Sequence, residues 1–215
     1  MLLLVRHGQS RANAAGLLVG RADSPLTELG RRQADALGAA LAPTITTGCR
    51  ILASPLQRAA KTAQAIAATC KGSPAPSRVR PLDVRPGVIT DARFIELDYG
   101  ELDETAVSEL PAGLWEHWRE DLTWRPPGGE TLWEVRARVS AACEELAAEA
   151  GRGDVIVVSH LSPIKAAVTW ALGSGPELSW RMSLGVASIT RIATDGARGP
   201  SLVSFNETAH LAGLA

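Results

Sequence analysis

The sequence predicts an α/β protein, a three-layer α/β/α sandwich on a mainly parallel sheet with a small inserted helical excursion. Three observations predict it. Uninterrupted apolar runs at residues 2–5, 51–53 and 155–158 have the length and bounding residues of strands, and strands apolar on both faces belong inside a covered parallel sheet. Between them lie stretches of helical periodicity long enough to cross back over that sheet. Each run also leads to a basic group, first Arg6 and His7, then Arg58, then His160, and open α/β sheets place ligand crevices at the carboxyl ends of their strands.

In chain order, residues 10–18 read as a loop with a short helical turn, and 20–25 as a turn. Thr27 caps a helix carrying Glu28 in its first turn, with Leu29, Gln33, Leu37 and Leu41 near a helical repeat, until Pro43 ends it. After the strand 51–53, Ser54 and Pro55 read as N-cap and first residue of a helix running to about Thr69. Its inner face would be Leu56, Ala59, Ala63, Ile66 and Ala67, with Arg58 in the first turn. Residues 71–93 form a loop with a strand, drawing on the apolar pieces Val79 to Leu82 and Val88-Ile89. The arginines there read as a solvated face.

Short helices fill the excursion, about residues 101–130. Four of the six Trp fall between Trp115 and Trp133, which reads first as packing of the excursion and second as a wall of the substrate site. Pro126 to Gly129 break the chain. Thr131 and Glu134 then make a capping box for a helix whose inner face is Leu132, Val135, Val139, Cys143 and Leu146. The strand 155–158 delivers Ser159 and His160, and Ser162-Pro163 repeats the cap-plus-proline signal for a helix to about Leu172. Residues 185–192 and 202–205 close the sheet, leaving a frayed tail after Glu207.

Composition narrows the function. With 215 residues, 46% hydrophobic, the chain can bury one core and reads as a single domain over residues 1–215. The 22 Lys+Arg nearly balance the 23 Asp+Glu, for a net charge of -1, which argues against a nucleic-acid binder working through bulk charge. No run approaches the roughly 18 apolar residues of a membrane span, and no secretory apolar region precedes Arg6. Cys49, Cys70 and Cys143 are odd in number and dispersed, as small core residues in a reducing compartment are. A cytoplasmic protein with neither nucleic-acid nor membrane partners is the expectation, and a homodimer is compatible with it.

The basic strand ends suit a phosphate group. Arg6 and Arg58 are always-charged forks that match it bidentately. A neutral imidazole can act as nucleophile and form a phosphorylated intermediate, while a carboxylic acid protonates the leaving alkoxide. Glu96 is the candidate acid, with Asp98 and Glu101 behind it. No G-x-G-x-x-G follows a strand, and there is neither a Walker A nor a G-x-S-x-G motif. None of the four His stands three or four residues from another, so no metal ligand set is evident, and His117 and His210 read as ordinary. No cofactor is expected.

The blocks VRHGQS, PLTELGRRQA, SPLQRAAKTA, the E-x-x-x-G from Glu96 to Gly100, and VVSH occur in this order. Together they resemble the histidine phosphatase superfamily, in its phosphoglycerate mutase-like branch, from residue 2 to about residue 172. The resemblance implies His7 as phosphorylated nucleophile, a phosphate pocket of Arg6, Arg58 and His160, and Glu96 as proton donor. Asn13 and Gln9 match positions that often line that pocket. Leu161-Ser162 replaces the usual Gly-Gly after the second His without removing the backbone N–H a phosphate would use, and Lys165 stands where Arg is common. Leu97 directly after Glu96 and the short excursion depart from the mutases, although Tyr99 is retained. SHLSPIKAAVTWAL and WREDLTWRPPGGET resemble actinobacterial acid phosphatases and α-ribazole phosphatase-like proteins. The implied activity is metal-independent hydrolysis of a small-molecule phosphomonoester, releasing inorganic phosphate. The alternatives are a cofactor-dependent mutase (an isomerase) and a low-turnover phosphate-ligand binding or regulatory protein.

Overall fold

A computed structural model describes residues 1–45, 49–70, 87–197 and 199–214. The apolar piece Val79 to Leu82 lies outside the described residues. The first half of the chain runs β1 (Leu2–Arg6), α1 (Arg11–Ala14), α2 (Glu28–Leu41), β2 (Arg50–Ala53), α3 (Gln57–Cys70) and β3 (Ile89–Thr90). The second half runs α4 (Leu114–Glu120), α5 (Leu132–Ala150), β4 (Val155–Ser159), α6 (Leu161–Ala171), β5 (Ile189–Ala193) and β6 (Ser201–Glu207). The strands form one sheet in the order β3-β2-β4-β1-β5-β6. The pairs β3/β2, β2/β4 and β4/β1 are parallel, and β5 is antiparallel to both β1 and β6.

Alternation along the strands feeds two cores. Leu2, Leu4, Leu52, Val155 and Val157 face Val135, Val139 and Cys143 of α5 and Ile164 and Ala167 of α6. Leu3, Val5, Ile51, Ala53, Ile156 and Val158 face Leu37 and Leu41 of α2 and Ala59, Ala63 and Ile66 of α3. This is the expected three-layer sandwich. Leu2, Leu3, Leu4 and Val5 are at most 1% exposed, and burying each contributes about 1.5–3 kcal/mol. A strand held that firmly fixes what stands at its end.

The register decides which ends meet. Val5 pairs with Val158 and Arg6 with Ser159, while Ala53 also pairs with Val158. The carboxyl ends of β1, β4 and β2 are therefore level, and residues far apart in sequence converge there.

Both expected cap-plus-proline starts move. α3 begins at Gln57, after Ser54 and Pro55, with the Gln57 N–H donating to Asp23 Oδ1 at 2.7 Å. α6 begins at Leu161 with His160 as its N-cap, and the Ser162 N–H donates to Glu96 Oε1 at 3.1 Å. In each case a carboxylate from another segment takes an orphan helix N–H, and at α3 the Ser54 Oγ takes only the Leu56 N–H just ahead of the helix, at 3.3 Å. The segment 185–188 is not part of β5 but wraps the end of β1. The tail does not fray at once: a 3-10 turn, Ala209–Leu211, follows β6, and His210 Nε2 bonds the Ala187 carbonyl at 2.9 Å.

Gly8 explains the third letter of R-H-G. A Cβ there would lie 2.3 Å from the Gly30 carbonyl oxygen, and one on Gly30 would lie 2.0 Å from the Gln9 carbonyl oxygen. The loop after β1 and the start of α2 thus touch backbone to backbone. Gly8→Ala is expected to destabilise the protein by at least the upper end of the about 1–3 kcal/mol typical of overpacking. A chemical denaturation midpoint close to that of the wild type would refute this.

Candidate active site

The level ends of β1, β4 and β2 bring His7, His160 and Ser54 together. The His7 N–H donates to the Ser159 carbonyl at 3.0 Å, and the His7 carbonyl accepts from Ala187 N at 2.9 Å. His7 Nδ1 lies 2.7 Å from the Gly8 carbonyl oxygen. A carbonyl only accepts, so Nδ1 carries the hydrogen and Nε2 keeps its lone pair. The two imidazole centroids are 4.9 Å apart at 60°. His160 Nε2 bonds Ser54 Oγ at 2.7 Å, and its Nδ1 is buried with no partner among the described residues.

Both rings are nearly inaccessible, and burial is the main reason that both hold pKa values well below 6.5. Arg58 and then Arg6 push His7 down further, while the Gly8 carbonyl opposes them. His7, Arg58, Arg6 and Arg138 add to the effect on His160. Near neutral pH both imidazoles are uncharged, and His7 Nε2 is a competent nucleophile. The same shifts make a stability prediction. Below 6.5 the unfolded chain binds protons that the folded chain refuses, so stability is fully present above 6.5 and declines as pH falls toward the folded-state values. The thermal midpoint should drop below that pH, with a shallower slope in His160→Gln. Equal slopes in the two proteins would contradict the assignment.

Arg6 and Arg58 supply the charge. Arg58 is 1% exposed, with Nη1 donating to the Ala22 carbonyl and Nη2 to the Gly20 carbonyl, each at 2.7 Å. That uses two of its five N–H donors. Arg6 Nη1 donates to the Leu184 carbonyl at 2.5 Å, and its Nε is buried without a partner among the described residues. Neither guanidinium has a carboxylate within ion-pair distance among the described residues. Desolvating an ion costs several kcal/mol, so an anion bound by these two groups would offset that cost.

Glu96 is 4% exposed. Its Oε1 accepts the N–H groups of Leu97 at 2.8 Å and Ser162 at 3.1 Å, which leaves Oε2 for proton exchange. It lies within electrostatic reach of Arg6, Arg58, Tyr99 and Lys165, so it belongs to the same cluster. The other two acids do not: Asp98 pairs with Arg21 at 3.0 Å and accepts from Gly100 N, and Glu101 is exposed. Gln9 and Asn13 are engaged locally. Gln9 Oε1 accepts from Thr27 Oγ1 at 2.9 Å, and Asn13 closes a capping box with Ser10. Leu161 is the first residue of α6, its side chain packed against the core. Lys165, half-buried on the same helix, has its pKa lowered mainly by burial.

Most of the tryptophans pack. Trp118 is 1% exposed, within 6.1 Å of Trp115, Trp124, Trp180 and Tyr99 by ring centroids. Through Tyr99 this cluster backs the first turn of α6. Trp133 is instead 45% exposed, with Arg136 over its ring.

Sequence reasoning missed three supports. Ser54 holds His160. Arg138 holds the backbone of the acid, donating to the Glu96 carbonyl at 3.2 Å and the Arg93 carbonyl at 2.6 Å. The segment 184–188 cradles Arg6 and His7, with Ala187 in the left-handed region at φ 53°. Only Ser54 left a signal, as the residue ending a strand whose neighbour ends in His160.

The α/β/α sandwich on this sheet is the fold of the histidine phosphatases among solved structures. The chain belongs to the histidine phosphatase superfamily (branch 1), whose family model matches residues 2–208. It is 33% identical over 217 residues to a bifunctional protein of Mycobacterium tuberculosis, covering 98% of this chain and 54% of that protein. The chain therefore spans about half the length of the first curated relatives it matches. A probable phosphoglycerate mutase of Proteus mirabilis is 30% identical over 221 residues, covering 99% of this chain and 95% of the mutase. Among solved structures, a mycobacterial glucosyl-3-phosphoglycerate phosphatase superposes with a TM-score of 0.80 at 28% identity, covering 96% of this chain and 98% of the other.

Proposed function

We propose that this chain is a metal-independent phosphomonoesterase that works through a phosphohistidine at His7, on a small phosphorylated metabolite. The observation that carries the reading is the pair of buried guanidiniums without ion-pair partners among the described residues, beside a neutral imidazole whose Nδ1–H is tied to a carbonyl so that Nε2 keeps its lone pair. Arg6 and Arg58 bind the phosphoryl oxygens and stabilise the charge spread over them in the transition state. His7 Nε2 attacks phosphorus as the ester P–O bond breaks, and the leaving oxygen takes the proton held on Glu96. The Nδ1–H bond to the Gly8 carbonyl steadies the imidazolium so formed. Glu96, now a carboxylate, takes a proton from water as the water attacks phosphorus. The N–P bond breaks, and phosphate leaves with His7 neutral again.

His160 lies against His7 and offers its Nδ1, unpartnered among the described residues, to the same group. The Leu161 N–H, which has no partner among the described residues, is the amide at the head of α6 suited to a phosphoryl oxygen. Gln9 and Asn13 would line the site through their remaining amide groups.

The phosphatase named among its structural relatives supports hydrolysis. The motifs of α6 and the excursion support a place near actinobacterial acid phosphatases and α-ribazole phosphatase-like proteins. Residues 1–215 would act as one phosphatase unit in the cytoplasm. The mutase reading is favoured by the Proteus mirabilis relative, and the acid followed by Leu97 speaks against it. A pure binding protein would need neither the acid nor the nucleophile.

The test is phosphate release from a panel of esters in the presence of chelator. The panel holds an aryl phosphate, sugar phosphates, nucleotides, α-ribazole phosphate and 3-phosphoglycerate. Release that persists in chelator and vanishes in His7→Ala is expected. Conversion of 3- to 2-phosphoglycerate without release would select the mutase instead.

A further inference from the structure

Arg58 owes its aim to a loop with no regular structure of its own. The carbonyls of Gly20 and Ala22 hold its two terminal nitrogens, each at 2.7 Å. The N–H groups of the same two residues point the other way, into one carboxylate. Gly20 N donates to Asp103 Oδ1 at 2.7 Å and Ala22 N to Asp103 Oδ2 at 2.8 Å. Asp103 comes from the excursion, at the close of a 3-10 turn, Gly100–Leu102. Its neighbourhood is stitched to the segment before the loop: Glu104 N donates to the Leu18 carbonyl and Leu18 N to the Thr105 carbonyl, both at 2.8 Å. Glu104 sits at φ 63°, a left-handed conformation that disfavours a non-glycine residue.

We propose that Asp103 is a positioning residue for phosphate binding, acting on Arg58 by pinning the backbone of Gly20 and Ala22, whose carbonyls hold the guanidinium. An acid touching Arg58 directly would neutralise it but would occupy the N–H groups that phosphate needs. Pinned at both N–H groups by Asp103, the two residues keep their carbonyls aimed at Arg58, and the negative charge of Asp103 favours the guanidinium through space. The guanidinium is compensated and locked from behind, and three of its five N–H donors remain. Charge and geometry are both required of this anchor: Oδ2 takes Ala22 N, Oδ1 takes Gly20 N and also Glu104 N at 3.1 Å, and a full negative charge serves the three donors. This inference rests on the phosphate role of Arg58 given above.

The experiment measures the dissociation constant of inorganic phosphate by calorimetry, and kcat/KM on an aryl phosphate. Both are measured for the wild type, Asp103→Asn, Asp103→Glu, Arg58→Ala and the double variant Arg58→Ala/Asp103→Asn. Asp103→Asn keeps the side chain's shape but loses the charge and one acceptor. Phosphate binding should weaken about tenfold to a hundredfold, the scale of hydrogen bonds to a charged group. Asp103→Glu, which keeps two charged oxygens, should recover most of that. In the Arg58→Ala background Asp103→Asn should change kcat/KM less than about twofold, since the anchor then has nothing to aim.

Equal losses from Asp103→Asn in both backgrounds would make Asp103 a merely structural residue and overturn the proposal. So would unchanged phosphate binding in Asp103→Asn. If Arg58→Ala itself left phosphate binding intact, the phosphate role of Arg58 would fail, and the positioning role of Asp103 with it.

Discussion

Replacing His7 with alanine is expected to lower turnover by at least about 10⁴-fold, the scale seen when a covalent nucleophile is removed. The same variant should bind inorganic phosphate within about tenfold of the wild type, because the charged forks of Arg6 and Arg58 do the binding. The split follows from geometry. His7 offers a free Nε2 lone pair, its Nδ1–H being tied to the Gly8 carbonyl, while Arg6 and Arg58 are anchored to carbonyls that the substitution leaves alone. Steady-state rates and phosphate calorimetry on one preparation check both halves. A variant with near-normal turnover would remove the mechanism, and one unable to bind phosphate would show that His7 organises the site as well as attacking.

The second large effect concerns Glu96. Glu96→Gln still offers an oxygen to the N–H groups of Leu97 and Ser162 but has no proton to give. Loss of a general acid typically costs about 10²–10⁴-fold, and the cost should depend on the leaving group. Alkyl phosphates, whose alkoxides need the proton, should lose the full factor. Aryl phosphates, whose phenolates leave unaided, should lose about tenfold or less in the step that breaks the ester bond. A pre-steady-state burst with an aryl phosphate separates that step from hydrolysis of the phosphoenzyme. Equal losses on both ester types in the ester-cleaving step would mean that another group supplies the proton.

The sheet was legible because its strands are continuous apolar runs, and such runs have few other places to go. Arg6, His7, Arg58 and His160 were legible because each follows one of these runs closely, and parallel neighbours bring their ends level. Glu96 was harder. It stands on an irregular segment with two other acids nearby, and residue spacing alone could not show that Asp98 is committed to Arg21 while Glu96 is aimed at the head of α6. The helix starts were misread for a related reason. Ser54-Pro55 and Ser162-Pro163 carry the local signature of a cap, but the caps come from Asp23 and Glu96, tertiary contacts that no local pattern encodes. Ser54 Oγ takes the Leu56 N–H just ahead of α3 at 3.3 Å and bonds His160 as well. Asp103 was invisible on the same grounds, since its partners, Gly20 and Ala22, engage it only through their backbone.

The most direct test of the central claim is to trap the phosphoenzyme. The wild-type protein is mixed with an aryl phosphate, quenched in alkali within one turnover and digested for peptide mass analysis. One phosphoryl group is expected on the peptide carrying His7, formed at least as fast as steady-state turnover and absent in His7→Ala. Turnover with no phosphorylated peptide, or with the phosphoryl group on His160, would contradict that claim.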